Sequence, residues 1–261
     1  MRVPGGSGGS AWVIAHRGAS RDCPENTTAA FDEALRQGCD GIELDLQLSR
    51  DGVPVVYHDR TLHKAGGGRR RVARADLRDL RRLDAGSWLD KKFRGQHIPT
   101  LEEVLARYGP KTRLFLEIKT REGGAGKARH LQLARSVAAL VRQSKARDNV
   151  MVLSFDGDVL KACADEAPEL RRVLNLEPPR VLREPLRERL SSLFALSADV
   201  RTLTPGFAAA VRGAGKPLLA YTCNTTRRLR QALRAGVIGV MSDRPGWLAA
   251  KLGRSQPHDG A

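Results

Sequence analysis

Short apolar runs alternate with longer amphipathic stretches along most of this chain. The runs at Trp12–Ala15, Gly41–Leu46, Val53–Tyr57, Arg113–Ile118, Val150–Ser154, Arg172–Leu176, Leu193–Leu196, Pro217–Tyr221 and Ile238–Met241 read as strands. Between most of them lie periodic stretches rich in Ala, Leu and Arg that read as helices: Thr27–Gln37, Leu101–Tyr108, Ala128–Ser144, Asp156–Glu166, Arg180–Leu190, Pro205–Gly213, Thr225–Ala235 and Pro245–Leu252. Asp51-Gly52 separates the second and third runs by a tight-turn pair, so the third run returns along the second as a hairpin. Eight strand–helix units remain. That count predicts an α/β fold, a (β/α)8 TIM barrel, with a small insertion after the second strand where the alternation lapses, about residues 60–99. The expected organisation is a flexible segment over 1–10, one barrel domain over 11–252 and a polar tail over 253–261.

Composition narrows the class. At 261 residues and 41% hydrophobic, the chain can bury a sizeable core. No apolar run approaches the ~18 residues that a membrane span needs, and Met1 to Ser10 has no apolar signal region. A cytoplasmic protein without stable membrane insertion is the expectation. Cys23, Cys39, Cys163 and Cys223 are scattered without a CxxC pair, which suits a reducing compartment and small buried side chains. The Gly-rich pieces at Gly5–Gly9 and Gly123–Gly126 lack the strand–helix context of a phosphate loop and read as linkers. The net charge of +16 points to an anionic partner: a phosphate, a membrane surface or nucleic acid. Arg60, Lys64, Arg69, Arg70, Arg71, Arg74, Arg78, Arg81 and Arg82 crowd the insertion, as a solvated face or as an anion-attracting lip. Aromatics are only 5% of residues and do not interleave with the basic ones, so no nucleic-acid partner is expected and a basic binding module is the remote alternative.

The candidate chemistry lies where apolar strands end. His16-Arg17-Gly18 closes the first strand, Glu43 and Asp45 lie two apart on the second, His58-Asp59 ends the hairpin return, and Glu117 and Lys119 end the next strand. In a barrel of this type those ends form the reactive face. Residues two apart share a face, so Glu43 pairs with Asp45 and Glu117 with Lys119, away from Ile42, Leu44, Leu116 and Ile118. Convergent carboxylates repel by about 4 kcal/mol per pair at ~4 Å and an effective dielectric of ~20. Protonation, pairing with arginines or a divalent cation can relieve this, and an all-oxygen donor set suits Mg2+, Ca2+ or Mn2+. His16 and His58 are the candidate proton carriers. Arg17 and Lys119 suit phosphate oxygens.

Seven motifs, in order from about Trp12 to Trp247, resemble the glycerophosphodiester phosphodiesterase family. They are His16-Arg17-Gly18, Pro24-Glu25-Asn26-Thr27, Glu43-Leu44-Asp45, His58-Asp59, Ile98-Pro99-Thr100-Leu101-Glu102-Glu103, Glu117-Ile118-Lys119 and Tyr221-Thr222-Cys223-Asn224. The resemblance implies a TIM barrel with a small insertion and metal-dependent hydrolysis of glycerophosphodiesters, such as glycerophosphocholine or glycerophosphoethanolamine, to glycerol 3-phosphate and an alcohol. It implies His16 and His58 as the acid/base pair acting through a cyclic phosphate. Glu43, Asp45 and Glu117 become ligands of one divalent cation, and Arg17 and Lys119 phosphate contacts, with Glu25, Asn26 and Tyr221 lining the substrate mouth. The partner implied is a small anionic phosphodiester, bound by a monomer or homodimer. The same site on lysophospholipids, as a lysophospholipase D, is the alternative; a barrel without activity is opposed by the intact acidic trio and both histidines. Two departures stand out: Tyr221 where the family usually has Trp, and Leu62-His63-Lys64-Ala65 where it usually has Leu-x-Arg-Thr.

Overall fold

The computed structural model describes residues 10–120, 126–176 and 190–254. Nine strands run in chain order: β1 (Trp12–His16), β2 (Gly41–Leu48), β3 (Pro54–Val56), β4 (Arg113–Ile118), β5 (Val150–Ser154), β6 (Arg171–Leu176), β7 (Ala195–Asp199), β8 (Leu218–Tyr221) and β9 (Gly239–Ser242). Eight of them pair in parallel, and β1 bonds to both β2 and β9, which closes the ring. β3 lies outside the ring, antiparallel to β2, as the Asp51-Gly52 turn predicts. The helices among the described residues are α1 (Thr28–Arg36), α2 (Leu77–Leu80), α3 (Leu101–Tyr108), α4 (Lys127–Gln143), α5 (Gly157–Glu166), α6 (Pro205–Gly213), α7 (Thr226–Arg234) and α8 (Pro245–Lys251). The helix expected over Arg180–Leu190 falls almost wholly outside the described residues, as do the two glycine linkers and the polar tail.

Period-two alternation sorts each strand's side chains between two cores. Val13, Ala15, Ile42, Leu44, Leu46, Leu114 and Leu116 face outward and pack with the helices. Trp12, Ile14, Phe115, Met151, Leu153, Val173, Leu219 and Met241 fill the barrel interior, with Trp12 edge-on to Phe115 at 6.3 Å. Moving up the inward face, apolar residues give way to polar ones: Trp12 and Ile14 lead to His16, Gly41 to Glu43 and Asp45, Phe115 to Glu117, and Leu219 to Tyr221. The lower barrel is a packed plug and the upper barrel a polar mouth.

The seventh strand differs from its expected position, lying over Ala195–Asp199 rather than Leu193–Leu196. Hydrophobicity misplaces it because Leu193 is buried and Phe194 half-buried in the approach to the strand, while the strand's upper half brings the polar Ser197 and Asp199. The segment between β3 and α3 has its own small core, built on Val55, Tyr57, Leu62, Val72, Leu80 and Ile98. Gln96 ties it to the barrel by accepting from Thr28 Oγ1 (3.0 Å) and the Ala29 amide (3.1 Å) at the start of α1. The Ile98–Glu103 motif turns out to be structural punctuation. Thr100 accepts from the Glu103 amide (3.2 Å) and Glu103 accepts from the Thr100 amide (2.8 Å), a capping box that starts α3.

Gly18 is the position where local geometry constrains the site most tightly. Its φ is +81°, and a Cβ there would sit 2.7 Å from the backbone of Ala30 in α1. Gly66, at φ +79°, has open space around it. Gly66→Ala therefore forfeits only the left-handed conformational preference, about 1 kcal/mol. Gly18→Ala adds a backbone overlap, for a total loss of about 2 kcal/mol or more. Urea melts check this: the Gly18 variant should show the larger fall in midpoint at unchanged slope, and equal falls would refute the close approach.

Candidate active site

Three carboxylates converge at the barrel mouth. Oxygens of Glu43, Asp45 and Glu117 all lie within 4.8 Å of one another, with Glu43 and Asp45 each 1% exposed. Adjacent strand register explains the meeting, since Asp45 of β2 stands beside Glu117 of β4 and Glu43 beside His16 of β1. Lys119 enters the group from just beyond β4, its Nζ 2.7 Å from Asp45 Oδ1 and 2.5 Å from Glu117 Oε1. Arg17 enters from the other side. Its Nε is 3.2 Å from Asp45 Oδ2, its Nη1 donates to Glu25 Oε2 (3.0 Å), and its amide donates to Glu43 Oε2 (3.1 Å). Asn175 Nδ2 donates to Glu117 Oε2 at 3.2 Å.

The backbone is bent to make these contacts. Arg17 and Asn26 are the non-glycine residues with positive φ among those described, both at +59°. Such conformations cost roughly 1–2 kcal/mol each and persist where surrounding bonds over-determine them. Asn26 is fixed by two bonds to one partner: its Nδ2 donates to Asp45 Oδ2 (2.8 Å) and its Oδ1 accepts from the Asp45 amide (3.2 Å). The Asn26 amide in turn donates to Arg17 O at 3.0 Å, linking the two bent residues.

Each histidine is oriented by a carboxylate. His16 Nδ1 shares a hydrogen bond with Asp243 Oδ1 (2.6 Å), leaving Nε2 3.9 Å from Glu43 Oε2. His58 Nδ1 shares one with Asp59 Oδ1 (2.7 Å), and its Nε2 is buried without a hydrogen-bond partner among the described residues. Gln47 holds the His58 segment by donating to Tyr57 O (2.7 Å) and Asp59 O (2.8 Å). Asp243 is held by Asn224, whose Nδ2 donates to Asp243 Oδ2 (2.5 Å) and whose Oδ1 accepts from the Asp243 amide (2.9 Å).

Electrostatics separates the groups. Burial, reinforced by the charge of Asp45, pushes Glu43 up to about 8. Asp45 is equally buried, yet Lys119 and Arg17 hold it well below the usual carboxylate range. Burial acts against the charged form of His16, but the Asp243 bond and the Glu43 charge outweigh it and the net shift is upward. His58 is shifted downward, mainly by burial. Burial alone would lower Lys119, and the surrounding Asp45, Glu117 and Glu43 raise it instead.

The sequence-derived set is thus largely brought together: His16, Arg17, Glu25, Asn26, Glu43, Asp45, Glu117 and Lys119 form one contact network, and His58 borders it through Asp59 and Lys64. Tyr221 stands apart, at the same rim but three strands from β2 around the ring. Its hydroxyl donates to Leu176 O (2.7 Å), which supplies the partner that a tyrosine at this position requires, and its ring lies edge-on to Phe155. Lys64 lies at the departure from the family pattern, with its Nζ 2.8 Å from Glu25 Oε1 and 3.4 Å from Asp59 Oδ2. Asp243 and Asn175 are absent from the sequence reading. Asp243 had a usable signal, since it follows the last apolar run as His16 follows the first; Asn175 lies inside a run and had none.

The oxygens present fit a hard divalent cation. Three carboxylates supply the donors, and Glu43 Oε1 is buried with no hydrogen-bond partner among the described residues. A second group, Glu25, His58 and Asp59, also comes within 4.8 Å, but Lys64 and Arg17 already neutralise it.

Comparison with known proteins agrees with this geometry. The family model for the glycerophosphoryl diester phosphodiesterase family matches residues 16–247. A glycerophosphodiester phosphodiesterase of Caldanaerobacter subterraneus subsp. tengcongensis is 33% identical over 235 residues, 89% of this chain and 94% of that protein. One from Bacillus subtilis is 30% identical, over 89% of this chain and 83% of that protein. Among solved structures, an Oleispira antarctica phosphodiesterase in complex with the product sn-glycerol-3-phosphate superposes with a TM-score of 0.83 at 29% identity, covering 94% of this chain and 97% of its own. With the barrel, the polar mouth and this family match in agreement, the chain belongs to the glycerophosphoryl diester phosphodiesterase family of enzymes.

Proposed function

We propose that the protein hydrolyses small glycerophosphodiesters, such as glycerophosphocholine and glycerophosphoethanolamine, to glycerol 3-phosphate and an alcohol. The observation that carries this reading is two carboxylate-oriented histidines flanking a convergent carboxylate trio at one barrel mouth. The resemblance of the fold to a neighbour solved with sn-glycerol-3-phosphate supports the substrate class.

Glu43, Asp45 and Glu117 would hold one divalent cation, Mg2+, Ca2+ or Mn2+. When bound, it supplies positive charge for the phosphate oxygens and the reacting hydroxyl. Arg17 and Lys119 present two further cations to the phosphate, and Arg17 offers the planar fork that suits two of its oxygens. His58, with a lowered pKa and an unpartnered Nε2, takes the proton of the glycerol 2-hydroxyl as that oxygen attacks phosphorus. His16, with a raised pKa, gives a proton to the departing alkoxide oxygen, and a cyclic phosphate forms. Water then opens the ring with the two roles exchanged: His16 removes the water proton and His58 returns one to the 2-oxygen. Glu25, Asn26 and Tyr221 line the mouth. Asp243 and Asp59 keep each imidazole in the orientation and tautomer that leaves Nε2 toward the reaction.

The direct test is release of glycerol 3-phosphate from these two substrates after EDTA treatment and re-addition of each cation. Restored release establishes reaction and cofactor class together. Turnover of lysophospholipids alone would move the assignment to a lysophospholipase D. His16→Ala and His58→Ala should each lower turnover by roughly 10²–10⁴-fold with the fold intact by circular dichroism.

Cation binding should also release a proton. In the ion-free protein Glu43 is protonated below about 8, so a cation must displace that proton and affinity should rise with pH until about 8, then level off. Calorimetry in buffers of different ionisation enthalpy reads the proton directly. Glu43→Gln should weaken binding and abolish the release; an undiminished release would remove Glu43 from the ligand set.

Asp243→Asn takes away the carboxylate that raises His16. The alkaline limb of the kcat/KM profile, where His16 loses its proton, should therefore move to lower pH. An unmoved alkaline limb would detach His16 from the acid role.

A further inference from the structure

Among the described residues, the large apolar side chains most open to solvent are Trp88 (40%), Leu89 (38%) and Leu233. Trp88 and Leu89 are consecutive, in the segment between β3 and α3. They are followed at once by exposed Lys91, Lys92 and Arg94, with Asp90 the acid among them. Asp90 is spent locally: its Oδ1 accepts from the Lys92 amide (2.9 Å) at the start of a short 3-10 turn, Lys91–Phe93. The indole is fixed in place, because Nε1 donates to Ala85 O at 2.9 Å and Lys64 Nζ lies 4.9 Å from the ring centroid. Lys64 also bonds Glu25 and Asp59, so this projection stands directly beside the active-site mouth. Residues 60–99 as a whole carry twelve Lys and Arg against four Asp, an excess of eight within a chain whose net charge is +16.

We infer that this projection docks the enzyme on anionic lipid bilayers, with Trp88 and Leu89 entering the interface and Lys91, Lys92 and Arg94 against the head groups. An indole with its N–H satisfied, next to an exposed Leu, matches the amphipathic zone of a bilayer surface. The exposed Lys91, Lys92 and Arg94 that follow it complement an anionic leaflet, where each Lys or Arg raises binding on the order of fivefold at low salt. No helix among the described residues is long and apolar enough to cross a membrane, so the contact is peripheral and reversible. Nucleic acid is the other polyanion a basic surface meets, but it offers no apolar layer for Leu89, and the indole has one face already covered by Lys64. The inference stands on the surface alone and does not depend on the catalytic assignment.

The test is co-sedimentation of the full chain with phosphatidylcholine vesicles containing about a third phosphatidylglycerol, beside pure phosphatidylcholine vesicles and duplex DNA. Tryptophan emission is recorded in each case. Trp12 is buried and Trp247 half-buried, so the Trp88→Phe variant assigns the emission: it should abolish the shift while leaving sedimentation largely intact. The expected result is binding to the anionic vesicles only, a blue shift, and weakening as salt rises toward physiological strength. Lys91→Glu with Lys92→Glu should reduce binding about tenfold or more. Leu89→Asp should reduce it with all the cations retained, which a purely electrostatic contact would not show. No binding at low salt, undiminished binding of both variants, or equal binding to DNA without a blue shift on vesicles would each overturn the inference. Hydrolysis of a soluble glycerophosphodiester by the same variants, measured without vesicles, should match the unaltered protein and shows that they are folded.

Discussion

Three carboxylates, Glu43 and Asp45 buried and Glu117 half-buried, converge at the mouth of this barrel, and much of the surrounding structure answers their mutual repulsion. At an effective dielectric of ~20, each like-charged pair at about 4 Å is unfavourable by about 4 kcal/mol. The protein relieves this in three ways at once. Lys119 bridges Asp45 and Glu117, Arg17 braces Asp45 from the opposite side, and Glu43, furthest from a cation, is held protonated at neutral pH. Both the proton-bearing Glu43 and the unpartnered Glu43 Oε1 mark where compensation is incomplete, and this is the position a divalent cation would complete.

The same constraint reaches into the backbone. Arg17 and Asn26 take left-handed conformations that their residue types adopt at a cost, and both do so in order to touch Asp45 or Glu43. Gly18 then lets the chain pass against α1 at a distance no side chain would permit. The loop after β1 is therefore shaped by the charge at the end of β2. Stability is lower here than an unstrained loop would provide, and the geometry obtained gathers two cationic and two imidazole groups around the carboxylates.

Outside the mouth, the segment between β3 and α3 has its own apolar core and much of the chain's excess charge. It contributes His58 and Asp59 to the site, and beyond them Lys64 reaches Glu25 and Asp59 while Gln96 holds the first turn of α1. Its outward side chains can change without disturbing the barrel, whose layers are fixed by strand register. Lys64 in place of the family's usual arginine is one such change. It keeps the positive charge between two carboxylates while giving up the planar fork.

The sequence by itself determined the barrel, because period-two strands and 3.6-period helices in eightfold alternation have few ways to bury their apolar faces. It also determined which carboxylates and histidines reach the mouth, since a residue's place at the upper end of a strand is written in the run that precedes it: Glu43, Asp45, His16, His58 and Glu117 were legible for that reason. What it could not carry was any relation between distant strands. Whether Asp45 would be answered by Lys119 and Arg17, whether His16 would find Asp243 across the closure of the ring, and whether Glu43 would be pushed upward all depend on distances of a few ångströms between segments up to 227 residues apart. Only the closed barrel, by setting strand register, decides those distances, and electrostatic energies inside a low-dielectric mouth depend steeply on them.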